Sequence, residues 1–451
     1  MTVIQIARAP VGLIARARAR RAAAAPPMTT TALLVLVPTA FLLGGGLIMI
    51  LSSSWVSAYQ NYGSSFLFFG RQLTWAVLGV VAMLIMIRID YRKTRVLSYL
   101  ILVAAIVGLA LVLHPAIGVR AGGSSRWLAL GPMRFQPSEL AKVALLLVGA
   151  DLCTRKGARL RTFKDVLVPF GIIAGILGAL VMAQPDLGTT LILGGITMTV
   201  LFIAGARIRV LGGLGASALS MAVILSMSEG YRRARLSAFT NPFRDPLNAG
   251  YQAVQSQIAL GSGGLFGVGL GASRQKWLYV PNAHTDFIFA IIGEEVGLLG
   301  TFAVIGLFVV LAYAGIRTAR RAPDTYGRIV AGAVTAWIVG QAVINMGAVT
   351  GLLPITGVPL PFVSFGGSSL VFTLAAVGIL INIARQEQWP PQPIRQVTAP
   401  PTPRRRPVKR AARGPAPVRR AHQPQPRSRM PARRTEPHRG TWDPFARRRS
   451  R

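Results

Sequence analysis

Pro281-Asn282-Ala283-His284-Thr285-Asp286-Phe287-Ile288-Phe289-Ala290 is a polar approach that turns, at Asp286, into a run that stays almost wholly apolar as far as residue 316. That transition decides the fold class, because it sets an acid where a membrane begins. The segment closes a long loop, 228–285, which carries Arg232, Arg233, Arg235, Arg244, Arg274 and Lys276 ahead of Asp286. Polar connections of this length within a compact body are commonly either functional or disordered. Tyr231, Phe239, Phe243, Tyr251, Trp277 and Tyr279 give this one aromatic anchors, which favours the functional reading.

The surroundings agree. The 451 residues are 52% hydrophobic with a mean hydropathy of +0.49, too apolar for an ordinary soluble domain. Windows of about 18 residues with almost no charge are the signature of spanning helices. Ten are predicted, at residues 32–51, 73–88, 96–113, 138–153, 166–183, 187–205, 208–227, 286–316, 329–350 and 362–384. The expected class is an all-α integral membrane protein of about ten transmembrane helices, with a large extracytoplasmic loop between the seventh and eighth.

Basic residues orient the spans, since cytoplasmic loops are enriched in them. Arg88/Arg92/Lys93/Arg95, Arg155/Lys156/Arg159/Arg161/Lys164, Arg207/Arg209 and Arg317/Arg320/Arg321/Arg328 fall in alternate loops. These and both termini are assigned to the cytoplasm; 52–72, 114–137, 184–186, 228–285 and 351–361 face outward.

The net charge of +36 is concentrated in two Arg/Pro/Ala-rich ends, 1–27 and 389–451, flanking a transmembrane domain at 28–388. Such compositions cannot bury a core, so both ends are expected to be disordered tails. Beside a bilayer they suit anionic headgroups or an acidic partner, and no nucleic-acid-reading fold accompanies the charge. Cys153, alone in the chain, forms no intramolecular disulfide and no cysteine metal cluster, and reads as a packed small side chain. The basic-then-apolar opening of residues 1–51 is too long in its apolar part for a cleavable leader; it reads as the first span, with Met28 a second candidate start.

The chain has only 14 acids. Asp90, Asp151, Asp165, Asp324 and Glu387 lie among cytoplasmic arginines and lysines and read as ion-pair partners. Glu139, Asp186 and Asp286 instead begin the fourth, sixth and eighth helices at the outer face. The tenth enters there through Pro361-Phe362-Val363-Ser364-Phe365-Gly366-Gly367-Ser368-Ser369. Four polar helix starts thus share one membrane depth and could converge on a single cavity.

Each has a plain structural role to weigh. Asp286 and Asp186 could simply cap helices, although Arg274, Lys276 and His284 before Asp286 could hold an anion beside it. Glu139 and Lys142 lie three apart on one helical face, and a lysine one turn inside an apolar span needs a partner or a wet cavity. At least one of Glu294 and Glu295, inside the eighth helix, must face protein or water. The run Gly261-Ser262-Gly263-Gly264-Leu265-Phe266-Gly267-Val268-Gly269-Leu270-Gly271 lacks the lysine and preceding strand of a phosphate loop, and reads as backbone packing closely on a membrane-edge ligand. No metal cage and no Ser/His/Asp order is present.

Several motifs, in order, resemble the SEDS family of bacterial membrane proteins, the FtsW/RodA/SpoVE group. They are Ser125-Arg126-Trp127 with Gln136-Pro137-Ser138-Glu139-Leu140-Ala141-Lys142, Gln184-Pro185-Asp186-Leu187-Gly188, Asn241-Pro242, Gly250-Tyr251-Gln252, the glycine run, Pro281 to Glu295, and Pro359 to Ser368. The resemblance covers residues 30–388 and leaves the tails outside. It implies a ten-helix peptidoglycan glycosyltransferase that joins lipid II disaccharides outside the membrane, beside a class B penicillin-binding protein. By position it implies Asp286 as the catalytic acid, and Glu139, Lys142, Asp186 and Ser364 as polar cavity residues. The loop and basic extensions look more like the division-type branch, FtsW, than the elongation-type, RodA. That implies a multi-pass protein of the bacterial cytoplasmic membrane, at the division septum, meeting other division proteins through its tails.

The chemistry is compatible. Polymerisation needs a base for the acceptor 4-hydroxyl and positive charge for the departing pyrophosphate. Asp286 would supply the first; Arg126, Arg274, Lys276 and Lys142 the second, with room for a divalent cation, Mg2+ or Mn2+, that no ligand set specifies. An axial donor linkage and an equatorial product need one inverting displacement, so one carboxylate suffices where glycosidases use two. The rival readings are a lipid II flippase, which Lys142, Glu294 and Glu295 would serve, an elongation-type polymerase, and a non-catalytic scaffold leaning on the tails.

Overall fold

The computed structural model describes residues 28–121, 124–131, 133–157, 160, 162–228, 233, 239–248, 250–277 and 283–387. The two predicted tails, and Glu229, Tyr231, Arg232, Arg235, Tyr279, Pro281 and Asn282 of the long loop, lie outside the described residues.

Six segments among the described residues are long and apolar enough to cross a membrane: Thr30–Tyr62 (α1), Leu67–Arg88 (α2), Tyr91–Leu113 (a short turn and then α3, Thr94–Leu113), Ile288–Arg321 (α9), Thr325–Val349 (α10) and Ser368–Arg385 (α11). Shorter apolar helices follow at Ile172–Met182 (α5), Leu187–Ile203 (α6) and Ile208–Ser228 (α7). The chain is a multi-span, helical membrane protein. Pro137–Lys156 (α4) holds Glu139, Lys142 and Asp151, yet it is almost wholly enclosed. It packs on α3, α6, α10 and α11, and nearly every residue from Pro137 to Cys153 is buried. A helix surrounded on all sides can keep charges only where they pair with protein.

Helix α1 starts where the Thr29 side chain accepts from the Ala32 N–H and stops at Gly63, at φ 70°. It outruns its predicted window because Ser52–Tyr62 contains no glycine or proline. At 1.5 Å per residue it is about 50 Å long, against about 30 Å of hydrocarbon. The extension brings Ser52 and Trp55 to the long loop. Within that loop lies a further helix, Tyr251–Ser262 (α8).

Three expectations change. Residues 114–137, expected as a plain loop, contain an antiparallel sheet: Gly118–Ala121 (β1), Ser124–Leu130 (β2) and Met133–Phe135 (β3), with Val119 opposite Trp127 and Leu128 opposite Phe135. The predicted fifth span is not one continuous helix: a single turn, Phe163–Val166, is followed by an irregular passage, Leu167–Gly171, and regular helix resumes at Ile172. The predicted tenth span begins at Ser368 rather than 362, because Phe362 and Gly367 have positive φ (66° and 51°) and break the helical path.

At the end of the bundle predicted to be cytoplasmic, the first and last described residues meet. Thr29 Oγ1 donates to Ala384 O and Thr31 Oγ1 to Glu387 Oε2. Arg92 pairs with Asp324 at 2.9 Å and Asp90 at 3.6 Å, Arg155 with Asp151 at 2.8 Å, and Arg321 with Glu387 at 3.7 Å. Asp165 accepts from Thr162. Asp90, Asp151, Asp324 and Glu387 are ion-pair partners, as read.

Candidate functional site

Asp286 sits half-buried in a turn, Ala283–Phe287, just before α9. The cap position is Phe287, which offers no side-chain cap. The turn is held from outside itself. Phe365 N–H donates to His284 O at 3.0 Å, Ser364 Oγ to Thr285 O at 2.6 Å, and Asn345 Nδ2 to Asp286 O at 2.8 Å. Ser364, expected in the cavity wall, is therefore a clasp: its Oγ also accepts from Leu360 N–H, and Gln72 brackets it by bonding Ser364 O and Gly366 N–H.

His284 packs between Phe68 and Phe365, with ring centroids 4.8 and 5.7 Å away. Burial among these rings lowers its pKa to about 4. At neutral pH it carries no charge, which departs from the expectation that it helps hold an anion.

Glu139 and Lys142 form a buried pair with Nζ–Oε2 at 2.8 Å and side chains 5% and 1% exposed. The Lys142 ammonium also donates to Gln341 Oε1 at 3.2 Å and lies 5.0 Å above the Trp337 ring. Gln341 accepts from Trp337 Nε1 and donates to Pro359 O. Removing two charges from water costs more than an isolated pair returns unless hydrogen bonds complete it. The pair therefore argues for a specific role more than for stability.

Asp186 is a helix cap, as its plain reading held, and something more. It accepts from Thr189 N–H and Thr189 Oγ1, while Arg126 of β2 lies 3.6 Å from its Oδ1 and donates to Pro185 O. Gly188 lets this helix start abut the α10–α11 loop; a Cβ there would lie 2.7 Å from Thr356 O and 2.8 Å from Val358 Cγ2. Asp286, Ser364, Glu139, Lys142, Asp186 and Arg126 are thus linked through α10 and the α10–α11 loop.

Lys276 and Arg274 belong elsewhere. Lys276 is buried, 3.4 Å from Glu295, donates to Gly271 O and lies under the Trp55 ring. Its charge is matched by Glu295, so it departs from the expected open cation. Arg274 is exposed, with its N–H on Glu294 Oε1 at 2.8 Å. Glu294 also accepts from Ser273 Oγ; Glu295 accepts from Ser52 Oγ and Ser273 N–H. Both acids anchor the loop.

The glycine run packs on the same place. Helix α9 breaks at Gly297 (φ 76°, ψ −166°), which frees backbone groups that must find partners in a membrane. Val268 N–H and Gly269 N–H take Glu294 O and Glu295 O; Leu298 N–H and Leu299 N–H reach Gly264 O and Leu265 O. A Cβ on Gly267 would lie 2.2 Å from Glu295 O, so only glycine allows the approach. Among the described residues no three His, Cys, Asp or Glu side chains come together as a metal cage.

Sequence reading missed Gln341, Asn345 and Gln72. Gln341 and Asn345, four apart in an otherwise apolar span, were the available signal.

The family of cell cycle proteins grouping FtsW, RodA and SpoVE matches residues 32–389. A Geobacter metallireducens protein named probable peptidoglycan glycosyltransferase FtsW is 42% identical over 343 residues, covering 76% of this chain and 92% of its own. The Bacillus subtilis stage V sporulation protein E is 43% identical over 342 residues, covering 76% and 93%. Among solved structures, a chain of a peptidoglycan synthase complex described as coordinating polymerization and crosslinking superposes with TM-score 0.65 at 30% identity, covering 79% of this chain and 98% of that one. The Thermus thermophilus rod shape determining protein RodA gives 0.58 at 27%, covering 78% and 96%.

Proposed function

Because the chain belongs to the FtsW/RodA/SpoVE family of cell cycle proteins, we propose that it is a peptidoglycan glycosyltransferase that joins lipid II disaccharides into glycan strands. The observation that carries this is the Asp286 turn, clamped at three successive carbonyls and tied through α10 to the Glu139–Lys142 pair. A base carried on a fixed backbone and positive charge for the departing phosphate are what an inverting displacement by a sugar hydroxyl requires.

In the proposed reaction the Asp286 carboxylate takes the proton of the acceptor 4-hydroxyl. The freed oxygen bonds to the donor anomeric carbon on the face opposite the phosphate. The carbon–oxygen bond to phosphate breaks, and its electron pair leaves on the lipid pyrophosphate. Arg126, held by Asp186, is the cation proposed to face the phosphates, with the buried Lys142–Glu139 pair proposed to support it from the cavity wall.

The site is proposed to open outward from the bacterial cytoplasmic membrane, with ten spans and both termini cytoplasmic; the meeting of Thr29 with Ala384 supports a shared side. A class B penicillin-binding protein is the proposed partner, in keeping with the synthase complex whose chain this one resembles. Septal synthesis is the proposed setting, with elongation as the alternative, since relatives named for division, sporulation and rod shape all match. A lipid II flippase is less well supported, because Glu294 and Glu295 are bound to the long loop rather than lining a path.

The test is reconstitution with a penicillin-binding partner and lipid II, comparing wild type with Asp286→Asn. Polymer from the first and none from a folded second is expected. Equal polymer from both would move the base to Glu139 or Asp186. Lipid II crossing the bilayer without polymer would favour the transporter.

A further inference from the structure

We infer that Asn345 is a positioning residue for Asp286, an inference that rests on the reading of Asp286 as the base. Asn345 is 2% exposed, on the face of α10 that meets both the start of α9 and the α10–α11 loop. Its amide donates twice, to Asp286 O and to Val358 O, each at 2.8 Å. Those carbonyls belong to segments more than 70 residues apart in the chain, and one planar amide holds both.

Asp286 O needs such a donor. In a continuing helix the Ala290 N–H would bond to it, but that N–H goes to Phe287 O at 2.9 Å. The carbonyl is left outside the helical ladder at a membrane edge, where an unmet acceptor is costly. The two preceding carbonyls, of His284 and Thr285, are met by Phe365 and Ser364 of the α10–α11 loop. Asn345 alone of the three comes from a helix, and its bond falls on the peptide of Asp286 itself.

The cost of keeping an amide there is visible. Asn345 Oδ1 is buried with no hydrogen-bond partner among the described residues. An apolar residue of similar size would avoid that penalty but leave the Asp286 and Val358 carbonyls unmet, so the amide is kept for what those two bonds hold. One turn earlier, Gln341 bonds Lys142 and Pro359 O. The two amides hold consecutive carbonyls of one loop, at Val358 and Pro359, and bond onward to the Asp286 peptide and to Lys142. Helix α10 is thereby the ruler between them, with Asn345 at the Asp286 end.

The experiment uses the full chain with its penicillin-binding partner in vesicles supplied with lipid II. Asn345→Ala, Asn345→Leu, Asp286→Asn and the double variant Asn345→Ala/Asp286→Asn are compared, each with a thermal melt. A misplacement of about 1 Å in a reacting group lowers a rate about 100-fold. The expected result is a folded Asn345→Ala with kcat reduced about 10- to 100-fold, KM for lipid II within about twofold, and no further loss in the double variant. Asn345→Leu keeps the volume without the donors and should behave alike.

Wild-type kcat in a folded Asn345→Ala, with Asp286→Asn inactive, overturns the positioning role and leaves Asp286 as the base. A loss carried by KM overturns it too, in favour of substrate binding. Unfolding of both Asn345 variants makes the residue a stability element and sinks the inference. An active Asp286→Asn removes the base itself, and the positioning role with it.

Discussion

Lys276 Nζ lies 3.4 Å from Glu295 Oε1, with both side chains withdrawn from solvent. This contact joins the long loop to the second turn of α9. Lys276→Met leaves Glu295 with Ser52 and Ser273 as its remaining donors. Local opening of the glycine loop should become easier by about 2 kcal/mol, or about 30-fold. Limited proteolysis within 263–277 reads this directly; unchanged cleavage would mean that the backbone contacts to the α9 break suffice alone.

The Glu139–Lys142 pair makes a different prediction. Lys142→Met strands a buried carboxylate and should lower stability by about 3 kcal/mol. Glu139→Gln/Lys142→Met removes both charges and should recover at least half of that loss. Thermal melts in detergent compare wild type, both single variants (Lys142→Met and Glu139→Gln) and the double, and simple additivity of the two single losses would show that the charges are not coupled.

Glycines in this chain divide by what a Cβ would meet. Gly267 has φ 79° and no room, so Gly267→Ala should cost more than about 3 kcal/mol. Gly44, inside α1, has nothing within 4 Å of a Cβ. Gly44→Ala should instead stabilise by about 0.5–1 kcal/mol, the difference in helix propensity. Equal melts for the two variants would contradict the packing described.

His284 predicts a pH effect. Burial lowers its pKa to about 4, so its neutral form is favoured in the folded chain. Between about pH 6.5 and 4 the unfolded chain takes up a proton that the folded chain refuses. Stability should fall by at most about 1.4 kcal/mol per unit across that window and level off below it. His284→Phe keeps the ring stack and should flatten this part of the profile; a parallel pair of curves would rule the histidine out.

Much of this architecture was legible. Charge-free windows located the spanning segments because hydrocarbon tolerates few ionised groups, and the predicted spans overlap the observed helices. The burial of Lys142 against Glu139 followed from the same cost. What periodicity could not show was where helices stop. Helix α1 overran its window because no glycine or proline breaks it until Gly63, and α11 started late because Phe362 and Gly367 turn the backbone.

The site divides in the same way. Composition and spacing by themselves determined a membrane protein with scarce acids at helix starts, since ionised groups in an apolar chain need a stated reason. Only the tertiary structure decided which acids belong together. Asp286 and Asn345 are 59 residues apart, Ser52 and Glu295 are 243 apart, and nothing local relates them. Lys276, read as an open loop cation, closes the loop against Glu295, while Lys142 completes a buried network. Partnership depends on packing across the bundle, and backbone groups freed at breaks such as Gly297 are satisfied only by whatever segment the fold brings beside them.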